Sequence, residues 1–230
     1  MVNNEMKTEY VFYSGGFDTT FYLLHCLIDK KVRVQPIIVK VKYIDGKSSR
    51  RISEYHESIS RKNFYDKFKI TYPHLSDNLL DEIIHENETI LDNETLEYGR
   101  EAYLGGIFSR GINQLLYFHQ VCKDNGYDGV VVGYTKDDGL DSSFFNNEFI
   151  LKENHPESMK WANNLKMPLI NLTKKEMLKI AEDNLYDSFL YETWSCWSPK
   201  IDNTPCGECE LCKITIVDTK LSFPKPIYLI

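Results

Sequence analysis

The sequence predicts an α/β fold, a doubly wound parallel sheet of about five strands with a small cysteine-bearing C-terminal segment. Three observations predict it. A strand runs straight into a Gly-Gly loop and a helix near the N-terminus; apolar strand-like runs then alternate with helical stretches; and four cysteines crowd into positions 196–212. The expected division is a main domain over residues 1–190 and a segment over 191–230 packed on it.

The first strand is expected at Glu9 to Tyr13, followed by a helix carrying Phe21, Leu24 and Ile28 on its apolar face. A second, from Val32 to Val41, is β-branched and nearly continuous in its hydrophobicity, as suits a parallel strand buried on both faces. A polar helix then spans about Ser48 to Asp66, and a short strand Phe68 to Tyr72 ends at Pro73. Ser76 reads as the N-cap of an acidic helix reaching about Leu91. The longest helix, about Ala102 to Asp124, sets Leu104, Ile107, Phe108, Gly111 and Leu115 on one stripe, and Asn125-Gly126 closes it. Gly129 to Tyr134 is a compact strand whose end delivers Lys136, Asp137, Asp138 and Asp141 into a loop, where open parallel sheets place ligand chemistry. A polar helix around Pro156 to Asn164, the apolar run Met167 to Leu172 and a helix from Thr173 to about Asn184 complete the order.

Composition narrows the function. Hydrophobic residues at 42% and charged residues at 27% match a globular chain and exclude disordered or fibrous classes. The net charge of −7 argues against a broad phosphate-neutralising surface, so a small-molecule substrate is favoured over direct nucleic-acid binding. Apolar runs fall far short of a bilayer span, and Asn3, Asn4 and Glu5 do not suit a secretory signal. A cytoplasmic protein with no membrane partner is expected.

Glycines at 15 and 16 let backbone amides approach an anion, and the helix N-terminus that follows adds partial positive charge. Ser14 and Thr19 supply hydroxyls. The loop has neither the Gly-Lys-Ser/Thr ending of a Walker A motif nor a G-x-G-x-x-G pattern. The plainer alternative is a Gly-Gly turn with Asp18 as a helix cap.

Cys206, Cys209 and Cys212 are spaced C-x-x-C-x-x-C, with Cys196 ten residues upstream of the first, so four thiolates can converge on one tetrahedral ion. Such a site is closed and structural, with zinc favoured and an iron–sulfur cluster as the chemical rival. Cys26 and Cys122 stand alone and read as buried small hydrophobes.

The run Ser14-Gly15-Gly16-Phe17-Asp18-Thr19 resembles the signature of the PP-loop ATP pyrophosphatases, whose fold is of the HUP type and which cleave ATP to AMP and pyrophosphate. By that resemblance Ser14, Gly15, Gly16, Asp18 and Thr19 hold the leaving pyrophosphate, with Asp18 near Mg²⁺. Adding Thr193-Trp194-Ser195-Cys196-Trp197 and Pro205-Cys206-Gly207-Glu208-Cys209-Glu210-Leu211-Cys212, the chain looks like the 7-cyano-7-deazaguanine synthases. The segment Pro168 to Lys174 is similar to that family's apolar run ending in a lysine at a helix start.

In the resembled family a 7-carboxy-7-deazaguanine carboxylate is adenylated, ammonia gives the amide, and a second activation gives the nitrile. The resemblance implies ATP, Mg²⁺ and Zn²⁺, a deazapurine substrate, ammonia, and a homodimer. Lys174 becomes a phosphate contact, with a solvated helix-start lysine as the alternative; Arg110 becomes a phosphate or carboxylate ligand, with a surface salt bridge as the alternative. Asp137 and Asp141 become substrate-binding residues, Asp141 reading a guanine-like edge, although the family's loop is abbreviated here. A ligase using another amine, or a PP-loop enzyme thiolating tRNA or forming lysidine, are the other readings. The acidic charge stands against the tRNA readings.

Overall fold

Strand β1 (Thr8–Phe12) is central, and its register with β2 (Arg33–Val39) is parallel, Thr8 opposite Arg33 through Phe12 opposite Ile37. The computed structural model describes residues 7–40, 53–85, 90–105, 112–209 and 211–213. Beyond β2 lies β3 (Ile83–His85), and on the other side of β1 lie β4 (Val130–Val131) and β5 (Leu165–Lys166). The sheet order is β3-β2-β1-β4-β5, with every pairing parallel. Chain order runs outward one way from β1 and then restarts at β4 on the other side. That reversal is a topological switch point, where loops after neighbouring strands diverge and leave a crevice.

Alternation along the strands divides the core between the two faces. Val11, Tyr13, Val34, Ile38 and Val131 join a cluster with α1 (Phe17–Leu24), α2 (Glu54–Thr71), α5 (Lys174–Asp183) and α6 (Asp187–Leu190). Phe12, Ile37, Val130 and Val132 face the opposite cluster with α3 (Asn93–Leu104), α4 (Ile112–Asn125), Met159 and Trp161. A third cluster gathers Trp194 and the four C-terminal cysteines. Helix α1 buries Phe21 and Leu24 as expected and continues into a π turn, His25–Asp29, whose Ile28 packs against the same cluster. Cys26 and Cys122 are buried, and burial pushes their thiols up to about 11 and about 12, which makes both inert.

Several elements differ from the sequence expectation. Residues 68–71 are not a strand but the last turn of α2, because Phe68 points into the core, within aromatic contact of Phe64 and Phe189. No helix fills 76–85: Pro73–Asn78 is a 3-10 turn, Leu79 bridges to Val34, and Ile83–His85 adds the edge strand. The stretch expected as one helix over Ala102 to Asp124 holds two, α3 and α4, with Leu104 exposed and Leu115 buried. Ile107, Phe108, Arg110 and Gly111 lie outside the described residues, as do Val41, Ser48 and everything beyond 213. Glu157–Ala162 is a 3-10 helix, and the run after β5 is a series of turns. Helix α5 starts where Thr173 predicts, through a capping box with Glu176.

Candidate functional site

The loop after β1 turns at Gly15, which adopts φ +83°. A Cβ there would stand 2.9 Å from the Glu57 carbonyl and 3.0 Å from Arg61 Cγ, so only glycine fits both the backbone and the space. Its carbonyl oxygen accepts from Ser60 Oγ at 2.9 Å and from the Trp194 amide at 3.1 Å. The Ser14 carbonyl accepts from Arg61 Nη1 at 3.4 Å, and Ser14 Oγ accepts from the Gly16 amide at 3.2 Å. Arg61 is buried, with Glu82 Oε1 3.2 Å from its Nε. Burial raises the Glu82 carboxyl while the Arg61 guanidinium pulls it back down.

Gly16 caps α1 in extended backbone without a side-chain bond, so Asp18 is not a helix cap. Instead its Oδ1 is ion-paired with Lys174 Nζ. Burial raises the Asp18 carboxyl, opposed by the Lys174 ammonium. Lys174 is 4% exposed, which removes the solvated-lysine alternative. Burial alone would depress its ammonium, but Asp18, with Asp138 and Asp137 behind it, holds it above the ordinary lysine value. The Thr19 hydroxyl turns back to donate to the Gly16 carbonyl at 3.4 Å.

The loop after β4 meets this site at the switch point. Gly133 lets it come close: a Cβ there would meet Thr19 Cγ2 at 2.7 Å and Asp18 Cβ at 3.3 Å. Thr135 and Asp138 form a capping box, and Gly139 closes the 3-10 turn Lys136–Asp138 in the left-handed region. Asp137 Oδ2 accepts from the Lys174 amide at 3.0 Å, which ties this loop to the start of α5. Asp141 is exposed, and its Oδ1 accepts from the Ser143 amide at 2.8 Å, which holds its carboxyl below the usual range. Asp18, Lys174 and Asp137 are therefore brought together, whereas Asp141 is held within its own short turn.

The four cysteine Sγ atoms of residues 196, 206, 209 and 212 all lie within 4.8 Å of one another. Cys196 is 3.6 Å and Cys212 3.8 Å from Cys206. Tetrahedral zinc with bonds of about 2.3 Å sets thiolates about 3.8 Å apart, so the set fits one ion. A four-iron, four-sulfur cluster spreads its thiolates farther, each on its own iron. Gly207, at φ +75°, turns the chain so that the Glu208 and Cys209 amides donate to Cys206 Sγ at 3.4 and 3.2 Å. Those amides bring the Cys206 thiol down to about 6, so it supplies a thiolate readily. Burial raises Cys196 and Cys212.

Ser60, Arg61, Glu82 and Gly133 escape the sequence reading. Each acts on the loop from a distant point in the chain, and none lies in a contiguous motif. The one available signal was the -Thr-Trp-Ser-Cys- run, whose tryptophan turns out to touch both the loop and the cysteines.

The sequence profile of the family described as "Queuosine biosynthesis protein QueC" matches residues 9–216. The chain belongs to that family. A 7-cyano-7-deazaguanine synthase from Prochlorococcus marinus strain AS9601 is 40% identical over 63 residues, 27% of this chain and 24% of that protein. One from strain MIT 9301 is 38% identical over the same shares. The matched stretch spans 24% of the length of these curated relatives. Among solved structures, the U34-tRNA thiolase NcsA from Methanococcus maripaludis with its 4Fe-4S cluster is similar at 15% identity and a TM-score of 0.36, over 96% of this chain and 84% of that one. Likeness at that level says nothing of chemistry. Among the described residues no helix is long and apolar enough to cross a membrane.

Proposed function

We propose that this member of the QueC family is an ATP-dependent ligase that converts 7-carboxy-7-deazaguanine, through its amide, to 7-cyano-7-deazaguanine in the cytoplasm. The observation that carries this reading is the Gly15-Gly16 loop clamped at the switch point, with the Asp18–Lys174 pair at its mouth. A carboxylate is a poor electrophile until its oxygen belongs to a good leaving group. Its oxygen attacks the α-phosphorus of ATP and displaces pyrophosphate; ammonia then attacks the acyl carbon and displaces AMP, giving the amide. A second ATP activates the amide oxygen, whose departure as AMP with proton loss leaves the nitrile.

The protein's part is positioning and charge neutralisation. The Gly15-Gly16 loop and the α1 N-terminus would hold the departing pyrophosphate, and Lys174 would offset the charge that builds on it. Asp18 would be the carboxylate for Mg²⁺, which would supply charge neutralisation on the phosphates, and Asp137 remains a proposed substrate-binding residue. Asp141 accepts from the guanine-like edge. The four cysteines hold Zn²⁺ as a closed structural site. Arg110 remains a proposed phosphate or carboxylate ligand.

Isotope exchange between ATP and pyrophosphate tests the first step. The expected result is exchange that depends on 7-carboxy-7-deazaguanine and needs no ammonium. Exchange stimulated instead by tRNA, and not by the deazapurine, overturns the reading in favour of a tRNA-modifying enzyme.

A further inference from the structure

Trp194 joins the two ends of the site. Its backbone amide donates to the Gly15 carbonyl at 3.1 Å, and its indole Nε1 donates to the Cys196 carbonyl at 2.8 Å. Its carbonyl lies 3.5 Å from where a Gly16 Cβ would stand. The ring is stacked on His56 of α2, centroids 4.2 Å apart and planes 14° from parallel, and burial lowers the His56 pKa, which favours the neutral ring. One turn along α2, Ser60 donates to the same Gly15 carbonyl. Trp194 is 9% exposed and packs in one cluster with Cys196 and Cys212.

The orientation of the Gly15-Gly16 peptide decides whether its amide faces an anion. Its carbonyl is held by two bonds, one from α2 and one from the strap that ends at the first cysteine, and its amide by a third, to Ser14 Oγ. Gly15, in the left-handed region, has no side chain of its own to limit it.

We propose that Trp194 is a positioning residue that couples the four-cysteine metal centre to the phosphate loop, so that metal and nucleotide bind cooperatively. The coupling rests on the reading that this loop binds the ATP phosphates. With the cysteines gathered on an ion, Cys196 is fixed, the indole is held between its carbonyl and His56, and the 194 amide keeps the Gly15 carbonyl turned away from the anion. With the cysteines released, that amide is free to leave and the Gly15 carbonyl loses one of its two donors.

Linkage is reciprocal: whatever factor the metal adds to ATP affinity, ATP must add to metal affinity. The test therefore needs no turnover. Zinc transfer from the zinc-loaded protein to a chromogenic chelator is followed with and without Mg²⁺-ATP, and ATP binding is measured separately by calorimetry. The expected result is zinc held about 5- to 150-fold more tightly with ATP bound, the ordinary span of such couplings. Trp194→Phe keeps the ring over His56 and the backbone amide but removes the indole donor; it should still bind zinc while the linkage shrinks by about 2-fold or more. Should that variant lose its zinc, His56→Ala, which leaves the indole bond in place, should also weaken the linkage. ATP that binds by calorimetry yet leaves zinc transfer unchanged overturns the coupling alone, as does a Trp194→Phe protein with full linkage. ATP that does not bind at all overturns the reading beneath it.

Discussion

The loop after β1 and the loop after β4 leave the same edge of the sheet, yet they are held differently. The first is gripped from outside, by Ser60 and Arg61 of α2, by Trp194, and by Lys174. The second is held mostly by its own turns, the Thr135–Asp138 box, Gly139 and the Asp141–Ser143 cap, with outside ties at Lys136 to Leu172 and Asp137 to Lys174. A loop built this way keeps its shape under substitution and can change which small molecule it meets. The gripped loop has no such freedom, which suits the pyrophosphate-holding part proposed for it.

Breaking the grip at its charged end should have the largest effect. Asp18→Ala leaves the Lys174 ammonium buried without its partner and removes the proposed Mg²⁺ carboxylate, so AMP formation should fall by about 10²- to 10³-fold, read by nucleotide chromatography. Near-normal AMP release would show that the pair is structural only. Next comes the metal end: Cys209→Ser should drop bound zinc well below one per chain by elemental analysis. It should also lower the melting temperature by about 4 °C or more, since about 2 kcal/mol moves a chain of this size that far. An unchanged melting temperature would count against a structural metal.

Two glycines sharpen the contrast directly. Gly15→Ala meets a backbone carbonyl at 2.9 Å as well as the left-handed penalty, and should cost about 2 to 4 kcal/mol by denaturant titration. Gly139→Ala has the same backbone sign but nothing within 4 Å, and should cost about 1 to 2 kcal/mol. Equal losses would mean that the loops are equally constrained. The smallest overall disturbance is expected from Asp141→Asn, an exposed side chain. Stability and ATP binding should barely change, while kcat/KM for the deazapurine falls by one to two decades, about 1 to 3 kcal/mol, because an amide offers a mismatched donor where a carboxylate accepts twice. Lost ATP affinity with unchanged deazapurine dependence would move Asp141 to the Mg²⁺ site.

The same contrast explains what the sequence could disclose. The Ser14–Thr19 loop and the C-x-x-C-x-x-C run are contiguous, so spacing alone pointed to a candidate phosphate loop and to the four-thiolate set that the structure brings within 4.8 Å. The Lys174 position was legible from the helix start at Thr173 and from the resemblance carried by Pro168 to Lys174; in the structure a capping box of Thr173 with Glu176 sets that start. Arg61 looked like one more charge on a polar helix; only the fold buries it, 47 residues away from the carbonyl it reaches. Secondary structure failed for the same reason. Residues 68–71 are β-prone by composition, but Phe68 and Tyr72 find their ring partner in Phe189, and that packing outweighs propensity.

The most direct test of the whole account is product identity. Purified protein is incubated with ATP, Mg²⁺, heavy-nitrogen ammonium and 7-carboxy-7-deazaguanine, and the deazapurine is followed by mass spectrometry. The account predicts an amide that rises first and then gives way to a nitrile carrying the heavy nitrogen, with AMP and pyrophosphate released at each activation. Unchanged acid in the presence of a bound metal and bound ATP would contradict it.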